Sequence, residues 1–444
     1  MSVHSNDRAT WLTKLERLGE LSTKDRAMVF NNIGYLITAD MLKEQYHQLD
    51  GNKAVGIDKV TKVAYGEKLD GNINALVQRI RRGTYKPKPA RITKIQKEDG
   101  STRPLVISCF EDKLIQLAVS TILTKIYEPL FLSCSYGYRQ GKSCHDALRA
   151  LNQATYKHPL GAIVEIDICQ YFNTIPLKEL TKLLRKKISD RRFLRLIEVL
   201  ITAPIREGGE NKENTVGCQQ GSIISPILAN IYLHHVIDEW FESIKQTHLR
   251  GKAELIRFAD DMVFSFQWQS DAQRFYEVLP KRLAKLGLEM HAEKSQLIPA
   301  GSKLALRAHQ RGERLPTFTF LGFTCYWGMA RKGFWRLKYT SRKDRFSSKL
   351  KGMKHYLRKN LNAEDSDEVI KTVIRATKGW VNYHAVSDNQ RRVGQYLEKT
   401  KRNILRWLNR RGGKRRVTWD KLLRILEALD FPKKWKITSM FPTR

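Results

Sequence analysis

An α+β fold is predicted by three features of this 444-residue chain. Ala162 to Ile168 alternates apolar and polar residues as a strand does. Leu255 to Phe266 reads as two short strands joined at Ala259-Asp260-Asp261, and between these segments ILANIYLHHVIDEWF carries an apolar helical stripe. Strand, helix and hairpin in that order suit a sheet covered on one face by helices. At 41% apolar residues the chain can bury a sizeable core, and its length allows two or three domains.

Each element has a local reason. In the first strand Val164, Ile166 and Ile168 share one face, which leaves Glu165 and Asp167 on the polar face. Ser225-Pro226 opens the helix, with serine at the cap and proline at the first position. Further on, Asp365 and Glu368 resemble a capping box ahead of Val369, Ile370, Val373, Ile374, Thr377, Trp380 and Val381 at helical spacing. Two more helices are expected, around Tyr396 to Leu408 and Trp419 to Leu429. Between them lies a basic turn that contains Arg410, Arg411, Lys414, Arg415 and Arg416.

The formal net charge of +35 would make the chain repel itself unless a polyanion sits against it, and nucleic acid is the first such partner to consider. Residues 341–444 hold 28 Lys or Arg against 10 Asp or Glu, about half of the excess. Those charges could be solvated helix faces, but Trp380, Tyr383, Trp407, Trp419 and Trp435 interleave with them and favour nucleic-acid contact. No membrane partner is expected, because no basic amphipathic stretch joins a lipidation signal. Thr215 to Ile237 is uncharged but interrupted by Gln219, Gln220 and Asn230, so it reads as a buried loop and helix. The N-terminus lacks an apolar h-region, and a cytoplasmic protein is expected. The six cysteines form no C-x-x-C pair, the eleven histidines show no metal-ligand spacing, and no phosphate-binding P-loop motif occurs.

Adjacent aspartates at a hairpin tip resist ionising together, and a divalent cation resolves that conflict. Two Mg²⁺ ions roughly 3.5–4 Å apart, held by carboxylates from separate strands, clamp an in-line phosphoryl transfer. Asp167 and Asp260 would be the bridging ligands. Taken alone, the Asp-Asp pair is weak evidence, since such dipeptides more often mark an ordinary turn.

The surrounding blocks decide between these readings. Phe258-Ala259-Asp260-Asp261 resembles the [YF]-x-D-D signature of reverse transcriptases, and Asp167 with Phe172 five residues on resembles their first palm aspartate and its aromatic. Gln220-Gly221-Ser222-Ile223-Ile224-Ser225-Pro226-Ile227-Leu228-Ala229-Asn230 resembles the QGxxxSPxLxN block, and Phe320-Leu321-Gly322-Phe323 the primer-grip hairpin. Lys53-Ala54-Val55-Gly56-Ile57-Asp58, Ser135-Tyr136-Gly137-Tyr138-Arg139 and Gly379-Trp380-Val381-Asn382-Tyr383 narrow the resemblance to group II intron-encoded reverse transcriptases, or maturases, without an HNH endonuclease module. It extends over roughly Ile37 to Leu429.

That resemblance implies a right-hand polymerase: an N-terminal extension and start of fingers (1–84), fingers (85–160), a palm with inserted finger elements (161–340), a helical thumb (341–409) and a short basic segment (410–444). It implies RNA-directed DNA synthesis with two Mg²⁺, or Mn²⁺ as a substitute. Asp167, Asp260 and Asp261 would be catalytic, with Ile168 joining them around the metals. Lys97, Arg103, Phe172, Gln220, Gly221 and Lys294 would meet the dNTP. Phe172 in particular would exclude a 2′-hydroxyl sterically. Arg139, Gly322, Trp380, Tyr383, Arg410, Arg411, Lys414, Arg415 and Arg416 would meet nucleic acid. The implied partners are an RNA template, intron RNA, a DNA primer or target and dNTPs, with the enzyme at the bacterial nucleoid when bound to DNA; the oligomeric state is left open. The chain departs from the family at Gly217-Cys218-Gln219-Gln220-Gly221, where GTPQG is usual, and at Asn173, where Asp is common. These departures leave room for a phage-defence or retron-like relative, or for a maturase acting mainly as an RNA-binding splicing factor.

Overall fold

The computed structural model describes residues 4–96, 102–363, 365–411 and 416–441, with side chains from Trp11 onward. Its strands are β1 (Ala90–Gln96), β2 (Thr102–Ile107), β3 (Gly161–Ile166), β4 (Ile205–Glu207), β5 (Glu210–Lys212), β6 (Ala253–Phe258), β7 (Asp261–Phe266), β8 (Gln296–Ala300), β9 (Phe318–Phe320), β10 (Phe323–Met329) and β11 (Trp335–Ser341). They form sheets ordered β2-β1-β4-β5, β6-β7-β3-β8 and β11-β10-β9. The second sheet is antiparallel throughout.

The helix Phe110–Tyr127 runs through the largest core and is apolar nearly all round, with Leu114, Ile115, Ala118, Val119 and Ile122 fully buried. It packs on the N-terminal helices His4–Lys24 and Ala39–Gln48, and the Thr38 hydroxyl caps the second of these by accepting from Met41 N at 3.2 Å. The helix Cys144–Lys157 covers the β6–β7 side of the antiparallel sheet, and a capping box between Ser143 and Asp146 closes its start. Helices Lys343–Lys359, Ser366–His384 and Gln390–Arg410 enclose a third core around Phe346, Ile374 and Tyr396.

Two expectations are corrected here. The strand over Ala162 to Ile168 is not half-buried: as a central strand it is covered on both faces, and it ends at Ile166, one residue before Asp167. Glu165, its one partly exposed member, accepts from Gln296 Nε2 at 2.6 Å and Thr319 Oγ1 at 3.0 Å. Ser225 does not cap its helix but is its first residue; Ile224 is the cap, and Ser225 Oγ donates to Gln219 O at 2.9 Å. The described residues beyond 410 pack on the rest of the chain. The helix Trp419–Ala428 buries Leu422 and Leu426 in the same core as Trp407, and Met440 returns to the core beside the antiparallel sheet, where its carbonyl accepts from Asn152 Nδ2. Among the described residues no helix is long and apolar enough to cross a membrane. All six cysteines are free thiols.

Candidate active site

Strands β6 and β7 pair from Ala253↔Phe266 to Phe258↔Asp261, which leaves a two-residue turn of Ala259 and Asp260. Ala259 takes φ +56°, the positive value that primed hairpin turns require and that a residue with a Cβ adopts reluctantly. The β3–β7 ladder ends at Ile166↔Met262. One further step along both strands sets Asp167 opposite Asp261, so the three carboxylates share one end of the sheet.

The strained turn is fixed from behind. Arg257 is wholly buried and forms a bidentate pair with Asp238, from Nε to Oδ1 at 2.7 Å and from Nη2 to Oδ2 at 2.5 Å. Its remaining donors reach Asn230 Oδ1, Ser135 Oγ and the carbonyl of Ala259. Asn230 in turn donates to Gly137 O at 2.7 Å, and a Cβ on Gly137 would collide with the backbone nitrogen of Ala259. Glycine is therefore required at 137 so that the chain can lie flat against the hairpin turn. Arg257, Asp238 and the positive φ at Ala259 were not marked as site features by sequence reasoning, and Asn230, Ser135 and Gly137 only as parts of motifs.

Electrostatics at this end of the sheet are unfavourable to anions. Burial raises the Asp260 carboxyl above its ordinary range and Asp167 adds to the shift, while Arg103 and Arg257 oppose it. Asp261 is open to water yet surrounded by protein, and burial, then Asp260, then Asp167 push it up to about 6 against the pull of Arg345. Asp167 is held through its backbone: its N–H donates to Ser295 Oγ at 3.2 Å, and its carbonyl accepts from His291 N at 2.8 Å. Its Oδ2 lies 3.3 Å from Lys294 Nζ. Crowded oxygen-only donors suit hard divalent cations. Among the described residues the group of ligand atoms that converges within 4.8 Å is instead His234, His235 and Glu239, where Glu239 accepts from His235 Nδ1 at 2.6 Å. The sequence spacing gives no sign of this cluster.

A second chain of contacts ties the expected nucleotide residues together. Phe172 lies in the short helix Tyr171–Thr174, half-buried, its ring edge-on to Tyr138 at 6.5 Å. Its carbonyl accepts from Cys218 N, and two residues on, the Gln220 carbonyl accepts from Val106 N in β2, the strand that carries Arg103. Gly221, at φ +105°, approaches so closely that a Cβ would strike the Val106 carbonyl; the space it provides is taken by β2. Gln220 Oε1 is a buried acceptor without a partner among the described residues. Tyr138 has its hydroxyl pKa raised by burial and by Asp260, with Arg103 opposing. Ile168 has its side chain in the core and its backbone bridged to Met290. Lys97 lies outside the described residues.

The family model described as reverse transcriptase (RNA-dependent DNA polymerase) matches residues 95–325, just over half the chain, and takes in all three aspartates. The chain belongs to the reverse transcriptase family. It is 36% identical over 251 residues to the group II intron-encoded protein LtrA of Lactococcus lactis, a match that covers 54% of this chain and 40% of LtrA. It is also 36% identical over 243 residues to an uncharacterized 91 kDa protein in a cob intron of Schizosaccharomyces pombe, covering 53% and 29%, and 32% identical over 227 residues to the protein YkfC of Escherichia coli, covering 50% and 56%. The matched stretch thus spans little more than half of these relatives, or less.

In this reverse transcriptase several residues expected at nucleic acid are engaged by the protein itself. Arg139, nearly buried, pairs with Glu128 and donates to the carbonyls of Leu132 and Ser135. Trp380 is a core residue: its ring stacks on Tyr396 at 3.9 Å and on His384 at 4.3 Å, so no face is free for a base. Arg411 donates to Ala363 O and covers Trp407. Leu321 and Gly322, both at positive φ, form the two-residue turn between β9 and β10, and Tyr383 Oη donates to the Leu321 carbonyl at 2.7 Å. Arg345, which faces Asp261, also lies against Gly322 and links this turn to the carboxylates. Arg410 and Arg416 are exposed, whereas Lys414 and Arg415 fall outside the described residues.

Proposed function

We propose that this reverse transcriptase extends a primer along an RNA template with dNTPs, and that it binds the RNA of a group II intron to promote splicing and retrohoming. The observation that carries the first part is the gathering of Asp167, Asp260 and Asp261 at one end of the antiparallel sheet, where Asp261 is pushed up to about 6. The second part rests on the likeness to LtrA, whose printed name is that of a group II intron-encoded protein. In this reading the sheet β6-β7-β3-β8 is the palm, β1 and β2 belong to the fingers, and the helices after Ser341 form the thumb and its RNA-binding extension. The enzyme would act on nucleic acid in the bacterial cytoplasm.

The three aspartates and the Ile168 backbone would hold two Mg²⁺, or Mn²⁺ in their place, which when bound would activate the attacking 3′-hydroxyl and offset the charge of the leaving pyrophosphate. The residues of the chain supply the rest. Arg257 and Gly137 keep the Ala259–Asp260 turn in a single conformation, so the carboxylates need not reorganise during the reaction. Arg103, and Lys97 six residues before it in the sequence, would offer guanidinium and ammonium donors to the triphosphate, and a guanidinium fits phosphate oxygens in a bidentate manner. Gln220 has a buried acceptor to spare on the loop tied to β2. Phe172 would fill the space beneath the sugar, favouring deoxyribose. Lys294, now beside Asp167, is a mobile cation that can turn to the pyrophosphate.

Primer extension on an RNA template, with wild type and with Asp260→Asn side by side, tests the polymerase reading. cDNA made only by wild type supports it; no cDNA from wild type with either Mg²⁺ or Mn²⁺ overturns it.

A further inference from the structure

A cleft of about 560 Å³ opens between the segment around Asn32 to Ile37, the turn after the helix Leu69–Arg81 and the helix Arg191–Ile201, and none of its lining residues belongs to the catalytic site. Its walls are apolar: Ile37, Ile80, Phe193, Leu196 and Val199. Its rim is cationic, with Arg81, Arg82, Lys86, Arg192 and Arg195 all exposed and without a carboxylate partner among the described residues. One carboxylate lines it, and both oxygens of that group are committed: Asp190 accepts from Gly34 N at 2.9 Å and Phe193 N at 3.0 Å. At the entrance stands Tyr35, 49% exposed, with the Lys14 ammonium 5.5 Å from its ring centroid.

We propose that this cleft takes an unstacked base of a single-stranded RNA segment, with the flanking phosphates on the arginine rim. Five unpaired cations around an apolar recess do not suit an uncharged ligand. Four of the five are arginines, whose planar forks match phosphate oxygens and also lie flat on bases. A half-exposed tyrosine provides a stacking face, and apolar walls accept the π-face of any base, so binding is tolerant of sequence. An acidic peptide would use the rim but leave the recess empty, and so the combination favours nucleic acid. The choice of RNA rests on the reading of the chain as an RNA-copying enzyme.

The test measures binding of a labelled oligouridine of about 16 nucleotides to protein whose polymerase cleft is already saturated with unlabelled template–primer duplex. Wild type should retain one oligouridine site. The variant Arg82→Ala/Arg192→Ala/Arg195→Ala alters only exposed side chains and should bind at least about tenfold more weakly, with its salt-dependence slope reduced by about 2. Leu196→Trp, which narrows the recess and leaves every cation in place, should weaken binding comparably. Both variants should extend a short template–primer at the wild-type rate and melt within a few degrees of wild type. The proposal is overturned if a filled polymerase cleft abolishes oligouridine binding, if Leu196→Trp binds as wild type does, or if free UMP or polyglutamate displaces the oligouridine at equal concentration. If wild type fails to extend any primer, the polymerase reading falls, while the oligouridine measurement still decides the fate of the cleft.

Discussion

The guanidinium of Arg257 donates from Nη1 to the carbonyl oxygen of Ala259 at 3.2 Å, from strand β6 to the strained residue that turns the chain toward Asp260. A buried arginine thus spans the last residue before the aromatic of the motif and the turn itself. Its counter-ion, Asp238, is equally buried, and the Arg257 charge holds that carboxyl below its ordinary range against burial. Removing one member of such a pair leaves an uncompensated buried charge. Arg257→Met is therefore expected to lower unfolding free energy by about 3–5 kcal/mol. Adding Asp238→Asn to that variant should recover part of the loss. Denaturant midpoints of the three proteins check this, and a double variant no more stable than the single one would assign the loss to packing rather than charge.

Asp260→Asn should abolish cDNA synthesis while leaving RNA affinity within a factor of about two, because the loss removes metal positioning and not the basic surface. The same substitution has an opposite effect on the resting fold. Asp260 is one of the charges that push Asp261 up to about 6. A folded-state pKa raised in this way lowers stability as pH rises from about 4 through about 6, because the folded protein then gives up a proton it holds more tightly than the unfolded chain does. In chelator-treated protein above that range, Asp260→Asn should melt higher than wild type. A lower melting temperature would mean that the three carboxylates do not repel one another.

The hairpin tip and the strand leading to Asp167 were legible in the sequence because each is local: short strands, a turn and fixed spacings of a few residues. What holds the turn was not. Arg257 meets Asp238, Asn230 and Ser135 across 19, 27 and 122 residues, and no periodicity links such distant positions. The same limit explains Trp380 and Arg139. An aromatic among basic residues reads as a stacking platform until Tyr396 and His384 are found on its two faces, and an arginine in a polymerase motif reads as a phosphate ligand until Glu128 is found beside it. Composition gave the sign of the surface correctly, but it could not say which cations remain free once the chain has folded. Arg192 and Arg195, unpaired on the outer helix, carried no mark in the sequence.

His158 predicts an acid-sensitive antiparallel sheet. It is buried against β7, its Nδ1 2.8 Å from Ser265 Oγ and its Nε2 without a partner among the described residues, and burial lowers its pKa from the usual 6.5 to about 4, with Lys157 and Lys252 adding to the shift. Between those two values the unfolded chain takes up a proton that the folded protein refuses. The stabilising contribution is therefore complete above pH 6.5 and is lost as pH falls toward 4, at roughly 2 kcal/mol by pH 5. His384, lowered to about 4 as well, acts with the same sign. Melting curves of wild type and His158→Gln at neutral pH and near pH 5 check this: the difference between the two proteins should narrow as pH falls, and a constant difference would sink the assignment.

Sugar selection is the prediction that separates DNA synthesis from RNA synthesis at one side chain. Phe172 is anchored on both sides, by Tyr171 Oη donating to the Ala229 carbonyl at 2.6 Å and by Cys218 N donating to its own carbonyl at 2.7 Å, so its ring cannot easily withdraw. Tyr138 closes the far edge at 6.5 Å. If that ring lies beneath the incoming sugar, Phe172→Val opens the space a 2′-hydroxyl needs. The ratio of kcat/KM for rNTP over dNTP should then rise at least about tenfold, equivalent to roughly 1.4 kcal/mol of recovered transition-state binding. Total activity should fall at the same time, because Phe172 also packs against the main core and its truncation leaves a partial cavity. The ratio on one RNA template, not the rate, is thus the quantity to measure. A folded Phe172→Val protein with an unchanged ratio would remove Phe172 from sugar selection and return it to the core, with Tyr138 as the next side chain to test.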